Sequence, residues 1–406
     1  MRDPSQILPN RMITEMSKLS RFALIPYVCF FLLLSAYAVL QPEYTWDLLG
    51  YIGASVGSTD ARTIHDAAFH AIRPFAEKKD IQADNPYRVD VAANPYHFAE
   101  QLPFYSIKPV YIALMKGEHR LGMPFPRAAV AISAVSNFLL ALLLWYWLSS
   151  YLAGLPLAAS CTLIMLSPNI LELSRWATPD CLATFVAALG LYLVLERKLY
   201  FWGCSFLILD IWVRTDVLVL AGIVFLVLLL RSKLDFAQFA ALSLLSLGSY
   251  FTINHFAGNY GWPALFYNSF LGGLSAPGET IVHFSTSAYV HQLVRGAYLW
   301  LISGSFALYL LLGGLAIWLN RAPLYSELIV AVLAARAVSY ALYPNGDQRY
   351  TAVLFVAIPA ALVIAVRLSV LRRSTSVPLP SGESSLNTAS PSQLRPDPAT
   401  TGAIAR

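Results

Sequence analysis

About ten apolar runs divide the chain, and they restrict its fold more than any other feature of the sequence. The first run is Phe22 to Leu40, and about 20 apolar residues in a helix cross the ~30 Å hydrocarbon core of a bilayer. Hydrophobic residues make up 57% of the chain and charged residues only 13%, whereas average proteins carry about 25% charged residues. We therefore predict an all-α polytopic membrane protein with about ten transmembrane helices. The later runs cover 127–152, 155–166, 182–195, 200–213, 217–230, 236–253, 299–319, 328–343 and 351–366.

The polar segments between the runs indicate the domain organisation. Residues 1–21 are basic and are expected to lie in the cytoplasm; the first run is long enough to span, which favours an uncleaved helix over a cleaved signal peptide. The transmembrane core is expected over 22–371, with a large outer loop at 41–108 and a second outer loop at 255–297. The first loop is too long for a simple connection, so we expect it to be functional. The Ser/Pro/Thr-rich segment 372–406 predicts a disordered cytoplasmic tail.

The first outer loop contains one clear helical pattern. Asp60 is a suitable N-cap, and apolar residues at 64, 67, 68 and 72 recur at helical spacing until Pro74. We expect an interfacial amphipathic helix from Ala61 to about Arg73, lying on the membrane surface. Prolines at 95, 103 and 109 predict short turns and extended pieces in the rest of the loop.

Basic residues in the short loops indicate the orientation. With the N-terminus in the cytoplasm, most of these basic residues lie on the cytoplasmic side, as the positive-inside rule requires. The two short runs beside Arg214 are expected to line a polar cavity rather than lipid. Several polar or charged residues then fall on the outer face near helix ends, where we expect one site. They are Glu43, Asp47, Lys108, Asp180, Arg214, Asp216, Tyr343 and Arg349.

Three acidic residues are candidates for catalysis or substrate binding. Asp47 lies at the depth of a lipid phosphate, and it either acts as a general base toward an acceptor hydroxyl or caps a surface helix. If its stretch is helical, Glu43 shares a helix face with Asp47; it could raise the pKa of Asp47, bind a metal ion or be solvated. Asp180 is either a second carboxylate facing Asp47 or a residue that stabilises a helix start.

Three basic residues are candidates for phosphate binding. Arg349, Lys108 and Arg214 all precede or follow apolar runs on the predicted outer face, and guanidinium groups bind phosphate through paired hydrogen bonds. Arg349 with Tyr350 could equally be an interfacial anchor. Arg214 could equally form a self-contained ion pair with Asp216.

The remaining residues narrow the chemistry. His97, in the first outer loop, is the one histidine that we retain as a substrate-binding candidate. Arg336 lies inside an apolar run, so it must face the bundle interior or extend toward the interface. The sequence contains no HExxH, GxSxG, GxGxxG, Walker-type or CxxC pattern. It predicts no metal centre and no nucleic-acid partner, and it leaves the cofactor unknown, with a divalent cation possible in principle.

The order of several short motifs resembles that of the GT-C superfamily, which consists of integral-membrane glycosyltransferases that use polyprenyl-phosphate sugars. The resemblance covers about 22–370, and it implies that Asp47 is the catalytic base. Tyr105 and Lys108 belong to one of the motifs, so the resemblance places them in the substrate-binding segment. The motifs are Trp46-Asp47, residues 101–111 (QLPFYSIKPVY), residues 176–180 (WATPD), Arg214-Thr215-Asp216 and Gln348-Arg349-Tyr350.

The resemblance also implies a function. It implies transfer of a monosaccharide from a polyprenyl-phosphate donor to a glycan, lipid or protein acceptor on the outer face, with inversion at the anomeric carbon. The lack of any Asn-x-Ser/Thr sequence favours a bacterial inner membrane, with the active site facing the periplasm. A lipid-linked polysaccharide polymerase or ligase is an alternative that the second outer loop keeps open. A lipid or sugar transporter or flippase is another, and it predicts midplane charges and internal repeats.

Overall fold

A computed structural model describes the chain from Asn10 to Thr375, apart from residues 77–84, 303–305, 320–322, 346–348, 350 and 351. The described residues form helices and contain no named strand, as the predicted all-α class requires. In chain order the helices are α1 (Asn10–Leu40), α2 (Trp46–Val56), α3 (Ala61–Ile72), α4 (Pro86–Ala93), α5 (Pro95–Ser106), α6 (Pro109–Arg120), α7 (Phe125–Ser149), α8 (Gly154–Met165), α9 (Pro168–Arg175), α10 (Asp180–Leu195), α11 (Tyr200–Val213), α12 (Val217–Leu230), α13 (Phe236–Ala257), α14 (Trp262–Phe270), α15 (Thr286–Ile302), α16 (Phe306–Leu319), α17 (Pro323–Leu342) and α18 (Ala352–Thr375).

Five of these helices are long and apolar enough to cross a bilayer. They are the Phe22–Leu40 part of α1, the whole of α7, α13 and α17, and the Ala352–Leu371 part of α18. Two pairs, α8 with α9 and α15 with α16, bend by 66° and 70° at a short break, and they raise the number to seven if each pair is one span. The described helices therefore support a multi-pass membrane protein with five to seven candidate spans, fewer than the predicted ten.

The first outer loop is mainly helical in its described part. Helix α3 confirms the predicted helix, and the Asp60 carboxylate caps it by accepting the Thr63 backbone N–H at 2.8 Å. The prediction of turns and extended pieces is wrong. Asn85 and Asn94 cap α4 and α5 through their side chains, and a proline follows each cap at the start of the helix. Proline is tolerated there because the first N–H groups of a helix have no intrahelical partner.

Helices α2, α3, α5 and α6 share a small apolar core with the start of α7. Gly50 on α2 permits the close approach of α5, since a Cβ at this position would lie 2.3 Å from the ring of Tyr105. Asp47 is one turn earlier on α2, and Lys108 follows the end of α5. The glycine contact therefore holds the segment of Asp47 against the segment of Lys108.

The antiparallel pair α10 and α11 positions a second group of charged residues. The two helices pack closely at Gly190 and Gly203, where a Cβ on Gly203 would lie 2.8 Å from the carbonyl oxygen of Gly190. Small residues permit this kind of backbone approach between membrane helices. Because α10 begins at Asp180 and α11 ends just before Arg214, both side chains lie at the same end of the pair.

The C-terminal helix is longer than the sequence pattern predicts. Helix α18 continues to Thr375, past residue 372, where the disordered tail was expected to begin. The rest of that predicted tail, residues 376–406, lies outside the described residues. The second outer loop, predicted at 255–297, contains α14 and the first part of α15. A first compact unit ends at Ser369, and it contains every residue of the candidate site.

Candidate active site

Arg214 lies between two carboxylates at the open end of the α10–α11 pair. Its guanidinium forms an ion pair with Asp180, and its Nε and Nη2 donate to the two carboxylate oxygens of Asp216, each at 3.0 Å. Asp180 is buried and also accepts the Thr178 hydroxyl at 2.6 Å. Burial acts to raise the pKa of Asp216, but the adjacent Arg214 outweighs it and holds that pKa below its usual value. The pair of Arg214 with Asp216 is thus part of a three-residue cluster rather than self-contained.

Asp47 and Arg349 form a second ion pair, although they are 302 positions apart in the chain. Nη1 of Arg349 donates to Oδ2 of Asp47 at 2.7 Å, and both side chains are only about a quarter exposed, at 21% and 26%. Burial acts to raise the pKa of Asp47, but Arg349 and then Lys108 outweigh it and lower that pKa. Asp47 is therefore ionised at neutral pH, which is the form in which a carboxylate accepts a proton.

Lys108 lies beside this second pair. Its Nζ donates to the Tyr51 hydroxyl at 2.8 Å and lies 4.8 Å from the centre of the same ring. Tyr105 packs edge-on against Tyr51, with ring centroids 5.5 Å apart. Burial lowers the pKa of Lys108 to about 8, and the attraction of Asp47 offsets part of this effect. Lys108 is therefore mostly protonated at neutral pH but loses its proton well below the usual pH for a lysine.

The cluster around Arg214 and the Asp47–Arg349 ion pair both reach one cavity. Its volume is about 320 Å³, with the mouth of the cavity included. Arg349 contributes to its wall from the segment before α18, and Arg214 from the turn between α11 and α12. The structure therefore brings Asp47, Asp180, Lys108, Arg214 and Arg349 to one region. The cavity is lined by Asp180, Ala183, Thr184, Ala187, Asp210, Arg214, Asp216, Val217, Leu220, Arg349, Ala352 and Val353.

Glu43 does not share a helix face with Asp47, because its stretch is not helical. Helix α2 begins at Trp46, and Glu43 precedes it in a parallel β-bridge with Trp176. The Glu43 N–H donates to the Arg175 carbonyl oxygen at 3.0 Å, and its carboxylate accepts the Trp176 indole N–H at 2.8 Å. Glu43 therefore joins the segment of Asp47 to the segment that leads to Asp180, which is a positioning role.

Three other predicted residues have different outcomes. His97 lies within hydrogen-bond distance of Asp90, with Nδ1 3.0 Å from a carboxylate oxygen, and it is not part of the cavity wall. Tyr350 lies outside the described residues. Arg336 faces the bundle interior: it is buried, donates from Nη2 to the Asn345 carbonyl oxygen at 2.9 Å and lies over the Trp300 ring.

Asp210 is a cavity residue that the sequence patterns did not single out. It is fully buried in α11, one turn before Arg214, and it lines the same cavity. A sequence signal was present, because an acidic residue inside an apolar run is costly and usually functional. The apolar character of the run as a whole masked that signal.

The arrangement can bind an anion and accept a proton at the same place. Arg349, Arg214 and Lys108 supply positive charge, and Asp47 supplies an ionised carboxylate beside them. Within the described residues, no group of three or more His, Cys, Asp or Glu side chains is arranged to hold a metal ion.

Comparison of the chain with protein-family profiles, with curated proteins and with solved structures gives no match.

Proposed function

We propose that the chain is a membrane glycosyltransferase that moves a monosaccharide from a polyprenyl-phosphate carrier to an acceptor hydroxyl. The observation that carries the proposal is the ion pair between Asp47 and Arg349, with Lys108 beside it. General-base catalysis requires an ionised carboxylate, and a leaving phosphate requires fixed positive charge. Both requirements are met within one partly buried group of side chains.

The resting ion pair suggests how the donor prepares the site. The donor phosphate competes with Asp47 for the guanidinium of Arg349, because phosphate is a strong bidentate partner for arginine. Binding of the donor therefore frees the Asp47 carboxylate to face the acceptor. Lys108 adds a second positive charge near the phosphate.

The transfer itself is a single displacement. Asp47 takes the proton from the acceptor hydroxyl while the oxygen of that hydroxyl attacks the anomeric carbon. The bond from that carbon to the phosphate oxygen breaks on the opposite side, so the configuration inverts. The polyprenyl phosphate leaves with the bonding electrons, and Arg349 and Lys108 stabilise its negative charge.

The short helices fit this role in the membrane. Helices α10, α11 and α12 have 16, 14 and 14 residues, or about 21–24 Å at 1.5 Å per residue, less than the ~30 Å of the hydrocarbon core. Counting them as short spans, together with the seven candidates, brings the proposed number to ten. Their charged ends would then lie where a lipid phosphate can reach them, on the periplasmic face of a bacterial inner membrane.

The proposal is tested with purified protein in liposomes. The donors are radiolabelled polyprenyl-phosphate mannose, glucose, galactose and arabinose, and the acceptors are isolated envelope glycans and lipids. We expect one donor to yield a labelled product with release of polyprenyl phosphate, and NMR of the product to show an inverted anomeric configuration. Movement of the donor across the bilayer without transfer would contradict the proposal and indicate a transporter. Transfer of preassembled lipid-linked chains alone would contradict it and indicate a polymerase or ligase.

A further inference from the structure

Asp210 is a buried acidic side chain that the proposed mechanism does not use. Its exposed fraction is 0%, and within the described residues neither of its carboxylate oxygens has a hydrogen-bond partner. The side chain lines the cavity that Arg214 and Arg349 also line. Leaving a buried polar group without a hydrogen bond destabilises the folded protein. A ligand that donates hydrogen bonds into the cavity would remove this cost.

The rest of the cavity wall indicates the chemistry of that ligand. Two guanidinium groups, those of Arg214 and Arg349, disfavour a cation in the same space, and no metal-binding group of three occurs among the described residues. One part of the wall is apolar, formed by Ala187, Leu220 and Val353. A wall with acceptor oxygens, an apolar surface and a neighbouring anion-binding group suits a neutral molecule that carries hydroxyl groups and is attached to a phosphate.

We propose that Asp210 accepts hydrogen bonds from hydroxyl groups of the sugar moiety of the donor, and so determines which sugar is bound. This inference rests on the proposed function and deepens it. Arg349 binds the phosphate at one side of the cavity, and Arg214 lines the same cavity. Asp210 lies one helical turn from Arg214 on α11, so the sugar attached to that phosphate comes within its reach.

The test measures donor binding to the full-length protein in lipid nanodiscs. The probes are decaprenyl phosphate and the same lipid carrying mannose, glucose, galactose or arabinose. The wild-type protein should bind one sugar-bearing probe more tightly than decaprenyl phosphate. Asp210→Asn should reduce this preference by about 2- to 10-fold, the range for a hydrogen bond between uncharged groups, because it replaces one oxygen by an amide NH2, and it should leave the affinity for decaprenyl phosphate unchanged. Glu279→Gln is the control, because Glu279 is exposed and does not line the cavity.

The outcomes separate this inference from the proposed function. If Asp210→Asn keeps the full preference of the wild-type protein, the inference is wrong and the cavity side chain is satisfied by water. If the wild-type protein binds none of the probes and transfers no sugar, the proposed function fails, and the inference fails with it. Should Asp210→Asn not fold, deoxy-sugar donors on the wild-type protein replace it. Removal of at least one hydroxyl should then weaken binding by the same factor, and equal binding of every deoxy donor would overturn the inference.

Discussion

Substitution of Gly50 by alanine is expected to disturb the site from a position that touches no substrate. The added Cβ would lie 2.3 Å from two ring carbons of Tyr105 and 2.5 Å from a third. The ring cannot easily move away, because it packs edge-on against Tyr51. Overpacking of this kind costs about 1–3 kcal/mol. We expect α5 to shift, and Lys108 to move with it.

The assay is thermal unfolding of the detergent-purified protein. Since 1 kcal/mol changes Tm by about 2–4 °C in domains of 150–250 residues, and by less in longer chains, Gly50→Ala should lower Tm by about 2–6 °C. Sugar transfer should also fall, because a displacement of about 1 Å in a catalytic group can reduce a rate about 100-fold. The loss of stability should be smaller in a Tyr105→Leu background, as coupling between touching residues requires.

Gly117→Ala is the matched control. Gly117 is an exposed helical glycine on α6, and nothing lies within 4 Å of its ideal Cβ position. Alanine there should stabilise the protein by about 0.5–1 kcal/mol, because glycine is the poorer helix former. If Gly50→Ala raises Tm as Gly117→Ala does, the close packing of α2 on α5 is refuted.

Further predictions concern three charged residues, Lys108, Arg214 and Glu43. Because burial lowers the pKa of Lys108 to about 8, binding of polyprenyl phosphate should weaken as the pH rises through that value, and Lys108→Arg should abolish this dependence. The stability contribution of Lys108 should instead increase between about pH 8 and its unfolded value of 10.5, since the folded state binds fewer protons there; thermal unfolding across this range would show it. Arg214→Gln should destabilise the protein by about 3–5 kcal/mol, because it leaves the buried carboxylate of Asp180 without its partner, whereas Asp180→Asn should cost less in the same unfolding assay. Glu43→Gln should keep near-normal transfer and Tm, because the amide oxygen can still accept the indole N–H of Trp176. Glu43→Ala should lower Tm, because it removes this acceptor. An equal loss of activity in both variants would contradict the positioning role.

The sequence predicted the helical membrane class and most of the charged group, because both depend on where polar residues interrupt apolar runs. Asp47, Lys108, Asp180, Arg214 and Arg349 were all expected on one face near helix ends, and the structure brings them together. Their pairing was beyond prediction. Alternation of spans restricts side chains to one face of the membrane, but it does not specify which residues from distant segments meet.

The errors have particular physical causes. Glu43 would share a helix face with Asp47 only if its stretch were helical, but its backbone bonds to residues 175 and 177, so the helix begins only at Trp46. The prolines of the first outer loop were interpreted as breaks, although an asparagine cap before a proline is also a helix start. Asp210 was overlooked because a single acidic residue changes the mean hydropathy of an apolar run only slightly.

The role of Asp47 as the base is tested by the initial rate of sugar transfer by Asp47→Asn at saturating donor, with Glu43→Gln measured beside it. Both substitutions remove one carboxylate from the same short segment, so a general effect of lost charge would lower both rates. We expect Asp47→Asn to lose about 10²–10⁴-fold in rate, as removal of a general base requires, while its Tm remains close to normal and its donor binding does not weaken. We expect Glu43→Gln to stay near the wild-type rate. A folded Asp47→Asn protein that transfers sugar at the wild-type rate would contradict the assignment of Asp47 as the base.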